Sequence, residues 1–316
     1  MSLRRSLHIV LGALLVASLL ACGASRENLN VDNDTLMGGA KAGDFGLKVA
    51  EGDAHWAQRD NRDELKAAIA SWEEAVTLES TGLDADARRL AVYDVYVKIS
   101  HAYYFLTDAH IRFDAEDPDD VAEPMMATYD KGVIAAEKAL YLYSPAYQDA
   151  VVNKGVDREK AVEQGLLDKG AIPAMYWYAT NLGKWSLLVG LAETLGHVDT
   201  IKAMIGFIET NDAGFFYHAP LRYFGAYYTK LPFPGGDLEK SKVYFDRAIA
   251  GSPTYLGTRV LYAEMYVVKA DDEALYKENL QYVLDAAADA DPDLIPENKA
   301  EKEKARRLLD ELDDNF

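Results

Sequence analysis

An all-α fold, built as an array of stacked helix pairs, is what this sequence predicts, and three observations carry that reading. From residue 42 onward nearly every segment repeats its apolar residues at helical spacing, and none alternates as a half-buried strand does. The breaks carry helix punctuation: Pro-Gly-Gly ahead of the cap Asp237, Gly251-Ser252-Pro253 after one last turn, and Asp291-Pro292 after another. A spaced trio then recurs, with Phe245, Ala248 and Pro253 reappearing as Leu284, Ala287 and Pro292. In such a trio the large residue packs on a partner helix, Ala lets two helices approach closely, and Pro stops the second helix before the next pair.

Taken in order, the chain opens on a basic start, Arg4 and Arg5, followed by an apolar run from Ile9 to Leu20 that ends in Ala21 and the only cysteine, Cys22. That run is shorter than the roughly 20 residues needed to span a bilayer, and its layout is that of a secretory leader. A cysteine directly after the cut resembles the lipobox of bacterial lipoproteins, which implies acylation of the Cys22 thiol. Residues 1–21 are thus expected to be a lipoprotein signal peptide. The polar, glycine-bearing stretch 22–41 reads as a flexible spacer from the lipid, and 42–316 as one helical domain. Helices are expected over 42–58, 62–78, 84–111, 120–143, 158–166, 169–195, 198–211, 220–231, 237–250, 255–269, 273–290 and 298–312. The trio returns near the front as Trp72, Ala75 and Ser80, and more faintly as Ala136, Ala139 and Ser144. This spacing resembles a divergent tetratricopeptide-like (TPR-like) repeat, whose ordinary period is about 34 residues. An irregular bundle is the competing fold. A stacked array would offer a concave binding face.

Composition narrows the function. A net charge of −19, with 52 acids against 33 Lys and Arg, repels nucleic acid and anionic lipid, and the leader removes only two arginines from that balance. A single cysteine leaves no internal disulfide to brace an exported fold. No later segment is apolar for long enough to cross a membrane. His101 and His110 would point to opposite sides of one helix, and His55, His197 and His218 are scattered, so no metal site is expected. Nor is a cofactor. The acidic loop around Asp114, Glu116, Asp117, Asp119 and Asp120 lacks the glycine and terminal Glu of a calcium loop. Asp44-Phe45-Gly46 has no companion kinase motif, and Gly-x-Ser-x-Gly, His-Glu-x-x-His and phosphate-loop signatures are all missing.

The chemistry-bearing stretch is the run from Gly170 to Trp185. Beyond Pro173, Trp177, Asn181 and Trp185 share one helical face, and Tyr176, Thr180 and Lys184 form the stripe beside it. A structural stripe is more often Leu, Ile and Val, whereas amide, hydroxyl and ammonium groups interleave here with rings. A second cluster holds Phe215, Phe216, Tyr217, Arg222, Tyr223, Phe224, Tyr227, Tyr228 and Lys230. Rings with one or two cations suit an organic anion or a partner protein, and Lys184 or Arg222 would meet a carboxylate. The expected ligand or partner residues are therefore Tyr176, Trp177, Asn181, Lys184, Trp185, Arg222, Tyr223 and Tyr227. The competing reading is that these rings are core and helix packing, with their polar tips satisfied internally.

The same residues carry a resemblance. The runs Pro173-Ala-Met-Tyr-Trp-Tyr-Ala-Thr-Asn-Leu-Gly-Lys-Trp185 and Gly225-Ala-Tyr-Tyr-Thr-Lys-Leu-Pro-Phe-Pro-Gly-Gly-Asp-Leu-Glu-Lys240 resemble the T component of tripartite ATP-independent periplasmic (TRAP) transporters. The resemblance implies an all-helical periplasmic lipoprotein, a homotrimer with a central passage, that partners the extracytoplasmic solute-binding protein. It brings no catalytic residue. Three functions are weighed: a non-enzymatic subunit of a TRAP-type uptake system, an envelope assembly scaffold without solute, and a glycan-cleaving enzyme using two dispersed carboxylates. The first is preferred. Gly23 stands where Asp commonly signals inner-membrane retention, so the outer membrane is expected.

Overall fold

Side-chain caps set most helix starts. The carboxylates of Asp32, Asp44, Asp84, Asp117, Asp237 and Asp272, and the amide of Asn61, accept backbone N–H groups that the first turns leave unpaired. The computed structural model describes residues 26, 28–39, 41–80, 82–231 and 235–316. The expected leader, residues 1–21, and the lipidation candidate Cys22 lie outside the described residues. Fifteen helices follow one another among the described residues: α1 (Asn33–Met37), α2 (Phe45–Trp56), α3 (Arg62–Ala75), α4 (Ala85–Ala109), α5 (Pro118–Tyr143), α6 (Pro145–Gln148), α7 (Arg158–Glu163), α8 (Ile172–Val189), α9 (Leu191–Asn211), α10 (Phe215–Lys230), α11 (Leu238–Gly251), α12 (Gly257–Tyr262), α13 (Glu273–Asp285), α14 (Ile295–Asp310) and α15 (Leu312–Asn315). Extended pairing among the described residues amounts to one isolated bridge, Lys41 to Leu78. The fold is all-α.

Neighbours pack as hairpins: α2 on α3, α4 on α5, α8 on α9, α10 on α11 and α13 on α14. Trp72, Ala75, Ala136, Ala139, Phe245 and Ala248 are buried, as their spacing predicts. The last trio differs. α13 stops at Asp285, so Ala287 lies beyond the helix and is exposed, and the buried residues are Leu280 and Val283, one turn earlier. Two other expectations are corrected. The segment 169–195 is broken by Gly190, whose φ of 141° ends α8 and lets α9 begin at once. The segment 255–269 is interrupted by a π-helical stretch, Ala263–Val267.

Described residues of the expected spacer pack on the domain. Arg26 pairs with Asp130 and Glu137, each at 2.8 Å, the Leu29 amide donates to Glu137, and Leu36 is buried. Glu137 also holds Arg158. Burial would push its carboxyl up, but Arg158 and Arg26 outweigh that and hold it below its ordinary range.

The apolar interior forms two clusters. A larger one runs through α1–α10, and a smaller one joins Phe245, Leu256, Val260, Tyr276, Leu280, Val283 and Ala305 from α11–α14.

Candidate functional site

α8 turns its two stripes to different surroundings. Trp177 lies flat on His101 of α4, with ring centroids 3.8 Å apart and planes 15° from parallel. Asn181 is wholly buried at the α4–α5–α8 crossing, its amide nitrogen donating to the carbonyl of Trp177 at 2.9 Å and to the Ser100 hydroxyl at 3.1 Å. Gly132 of α5 makes room for it, since a Cβ there would come within 2.3 Å of the Asn181 amide oxygen. Trp185 packs toward His197 of α9, 6.0 Å away. Asn181 and Trp185 therefore serve helix packing, and Trp177 has one face covered by a ring of the chain itself.

The neighbouring stripe opens on a hollow. Tyr176, Thr180 and Lys184, with Ala179, Gly183 and Leu187, form one wall of an apolar chamber of about 170 Å³ whose other sides include Arg222, Tyr223, Leu261 and Met265. Lys184, Leu187, Lys230 and Met265 are shared with an outer vestibule of about 260 Å³, bounded also by Phe113, Met125, Tyr129 and Leu308. Lys184 and Arg222 are shared with a polar middle space of about 70 Å³. The inner end narrows to about 10 Å³ between His101, Trp177, Phe216, Tyr255 and Glu297. Tyr227 is not a wall; it packs against Tyr223, Phe224 and Tyr228.

The charges in the middle are nearly balanced. Lys304 bonds both Asp108 and Glu301, Lys184 reaches Asp108 at 3.3 Å, and Arg112 reaches Glu264 at 3.1 Å and Asp108 at 3.9 Å. Burial alone would raise the Asp108 carboxyl, but Lys184, Lys304 and Arg112 together hold it well below the usual carboxylate range. Glu264 is held low in the same way, with Arg112 as the main opposing charge to burial.

Arg222 is the cation outside this balance. It is 7% exposed, and no described carboxylate pairs with it. One terminal nitrogen donates to the carbonyls of Phe216 at 3.1 Å and Tyr217 at 2.7 Å, and the other to Phe216 at 3.0 Å and the Tyr176 hydroxyl at 3.2 Å. Its carbon sits 4.3 Å from the Tyr255 ring centroid. Lys230, exposed at the vestibule, likewise has no carboxylate within ion-pair distance among the described residues. The carbonyls that Arg222 grips belong to an unusual backbone. Phe216, Tyr217 and His218 have φ of 42°, 56° and 59°, three consecutive left-handed residues, none of them glycine. Each costs about 1–2 kcal/mol.

Asp108, Arg112, Tyr255, Glu264, Glu301 and Lys304 were not expected at a site. Lys304 lies in a Lys/Glu-rich run that reads as a solvated face, and the one usable signal was its i, i+4 spacing with Leu308. Glu264 and Met265 both reach the hollow because the π-helical stretch shifts the register, which sequence spacing does not show.

The sequence model of one family, described as the TRAP transporter T-component, matches residues 94–316. This chain belongs to that family. The matched span covers most of α4 and everything after it, so every wall of the T component's hollow lies inside it, while α1–α3 lie outside. No curated protein sequence matches the chain. Family membership makes the protein a transport-associated component of a TRAP system.

Proposed function

We propose that this T component is a non-enzymatic subunit of TRAP-type uptake that holds an organic anion with an apolar body. The observation that carries the reading is Arg222, a buried guanidinium with no described carboxylate paired to it, at the wall of a chamber that Ala179, Leu187, Leu261 and Met265 also line. A carboxylate there gains charge-assisted bonds from Arg222 and Lys184, while its chain lies on apolar surface. The protein is tethered through Cys22 in the periplasm, on the outer membrane, and exchanges its ligand with the solute-binding protein. Leu187, Val189, Leu191 and Leu195, 47–67% exposed around the Gly190 corner beside the vestibule, support partner docking at the mouth.

Calorimetry with octanoate and its neutral counterpart octanamide tests the ligand reading. Octanoate is expected to bind, octanamide to bind at least tenfold more weakly, and Lys184→Ala with Lys230→Ala to weaken octanoate by about tenfold or more, the size of a lost charged hydrogen bond. Equal binding of the two compounds would remove the cations from the site, and no effect of the double replacement would remove Lys184 and Lys230 from it. Co-purification with the solute-binding protein, lost on Leu191→Glu, tests the docking face.

A further inference from the structure

The left-handed turn at Phe216–His218 is held by the same guanidinium that faces the chamber. Its rings close the inner end: Phe216 lies 5.0 Å from Trp177, 5.5 Å from His101 and 5.9 Å from Tyr255, and Tyr217 stacks on Tyr255 at 5.4 Å. The space left there, about 10 Å³, admits no more than a water. Glu297 lines the same space and pairs with Arg59 of the α2–α3 loop at 2.7 Å. The hollow is thus open at the vestibule and shut at the far side by a plug whose backbone L-residues rarely adopt. Such a backbone persists only when its surroundings impose it. Here His218 is held by the Ser252 hydroxyl at 2.8 Å and Tyr217 by its stack on Tyr255, while the Phe216 and Tyr217 carbonyls are held by the fork of Arg222, neutral acceptors occupying donors that suit a carboxylate.

We infer that the turn is an anion-released gate: the two carbonyls stand in for a ligand carboxylate on Arg222, and an arriving carboxylate displaces them, frees the turn and withdraws Phe216 from the inner end. The gate turns a blind chamber into a through-passage, so a bound anion leaves by a different side from the one it entered. This inference rests on the proposed anion site, but the latch can be tested without any ligand.

Deuterium exchange on the full chain reads the turn through peptides covering 214–222, with 133–142 of the buried part of α5 as a folding control. Arg222→Lys keeps the charge but loses the two-pronged grip. It is expected to speed exchange at 215–219 at least fivefold without ligand, and octanoate should add nothing further. In the wild type, saturating octanoate should produce the same acceleration with 133–142 unchanged. Turn exchange as slow in Arg222→Lys as in the wild type overturns the latch. Octanoate that binds by calorimetry and leaves wild-type exchange unchanged overturns the gate while sparing the anion site. Absence of octanoate binding overturns the anion site, and with it the trigger. Should Arg222→Lys expose 133–142 as well, the wild-type octanoate measurement decides alone.

Discussion

Single side chains here carry more than one duty, which fixes what their replacement does. Arg222 grips three acceptors under full burial, so Arg222→Ala strands the Phe216 and Tyr217 carbonyls and should lower stability by about 1–3 kcal/mol for each group left unpaired. Denaturant melts of Arg222→Ala and Arg222→Lys check this, and an unchanged midpoint for the alanine variant would contradict it. Asp108 is the opposite case, an acid serving several cations. Asp108→Asn leaves Lys304 and Lys184 facing each other without their shared counter-charge, and a loss of about 3–5 kcal/mol is expected, as for a broken buried pair. His101 adds a pH term. Enclosed by the rings of Trp56, Trp177 and Phe216, its imidazole is held well below its ordinary 6.5 by burial first and by Arg59 second. A depressed folded value means stability is present above 6.5 and lost as pH falls, by up to about 1.4 kcal/mol per pH unit for one proton. Melting temperatures between pH 7 and 5 should fall in the wild type and fall less steeply in His101→Phe.

At the level of elements, α8 explains what could be read from residue order and what could not. The helix and its two neighbouring stripes were legible, because 3.6-residue spacing assigns residues to faces. Which face meets a hollow was not legible, since that depends on what packs against it. Ser100 and Gly132 meet Asn181, and His101 meets Trp177, partners contributed by α4 and α5 far away in sequence. Asn181, one of the eight expected ligand or partner residues, is buried among these helices, and Lys184 on the adjacent stripe faces the cavity. Gly132 offers a direct check. A methyl there meets the Asn181 amide at 2.3 Å, so Gly132→Ala should destabilise by about 1–3 kcal/mol despite its better helix propensity. Asn181→Ser, which withdraws the amide, should recover part of that loss in the double variant. Register shifts were equally hidden: the π-helical stretch that brings Glu264 to the cavity leaves no mark in apolar spacing.

Across the whole molecule, buried carboxylates are matched by cations: Asp108 and Glu264 line the polar middle space beside Lys184, Arg112 and Lys304, and Glu137 meets Arg26 and Arg158. Asp108, Glu264 and Glu137 all sit below their ordinary carboxylate values because cations outweigh their burial. Their contribution is therefore complete above about pH 4.5 and is lost as pH falls through and below that value. Acid should loosen the polar middle space and the Arg26 clasp together, visible as a fall in melting temperature below pH 4.5 beyond the His101 slope. The chain as a whole is strongly acidic, so the proposed organic anion would not be gathered by long-range attraction, and its recognition would fall to Arg222 and Lys184 inside and Lys230 at the vestibule. A crystal soaked with 8-bromooctanoate tests this most directly, because the bromine scattering locates the chain and the density locates the acid. The carboxylate is expected within hydrogen-bond reach of Arg222 or Lys184, with bromine among Leu187, Leu261 and Met265. Bromine found only on the exposed Leu191 corner, with the chamber unchanged, would contradict the account.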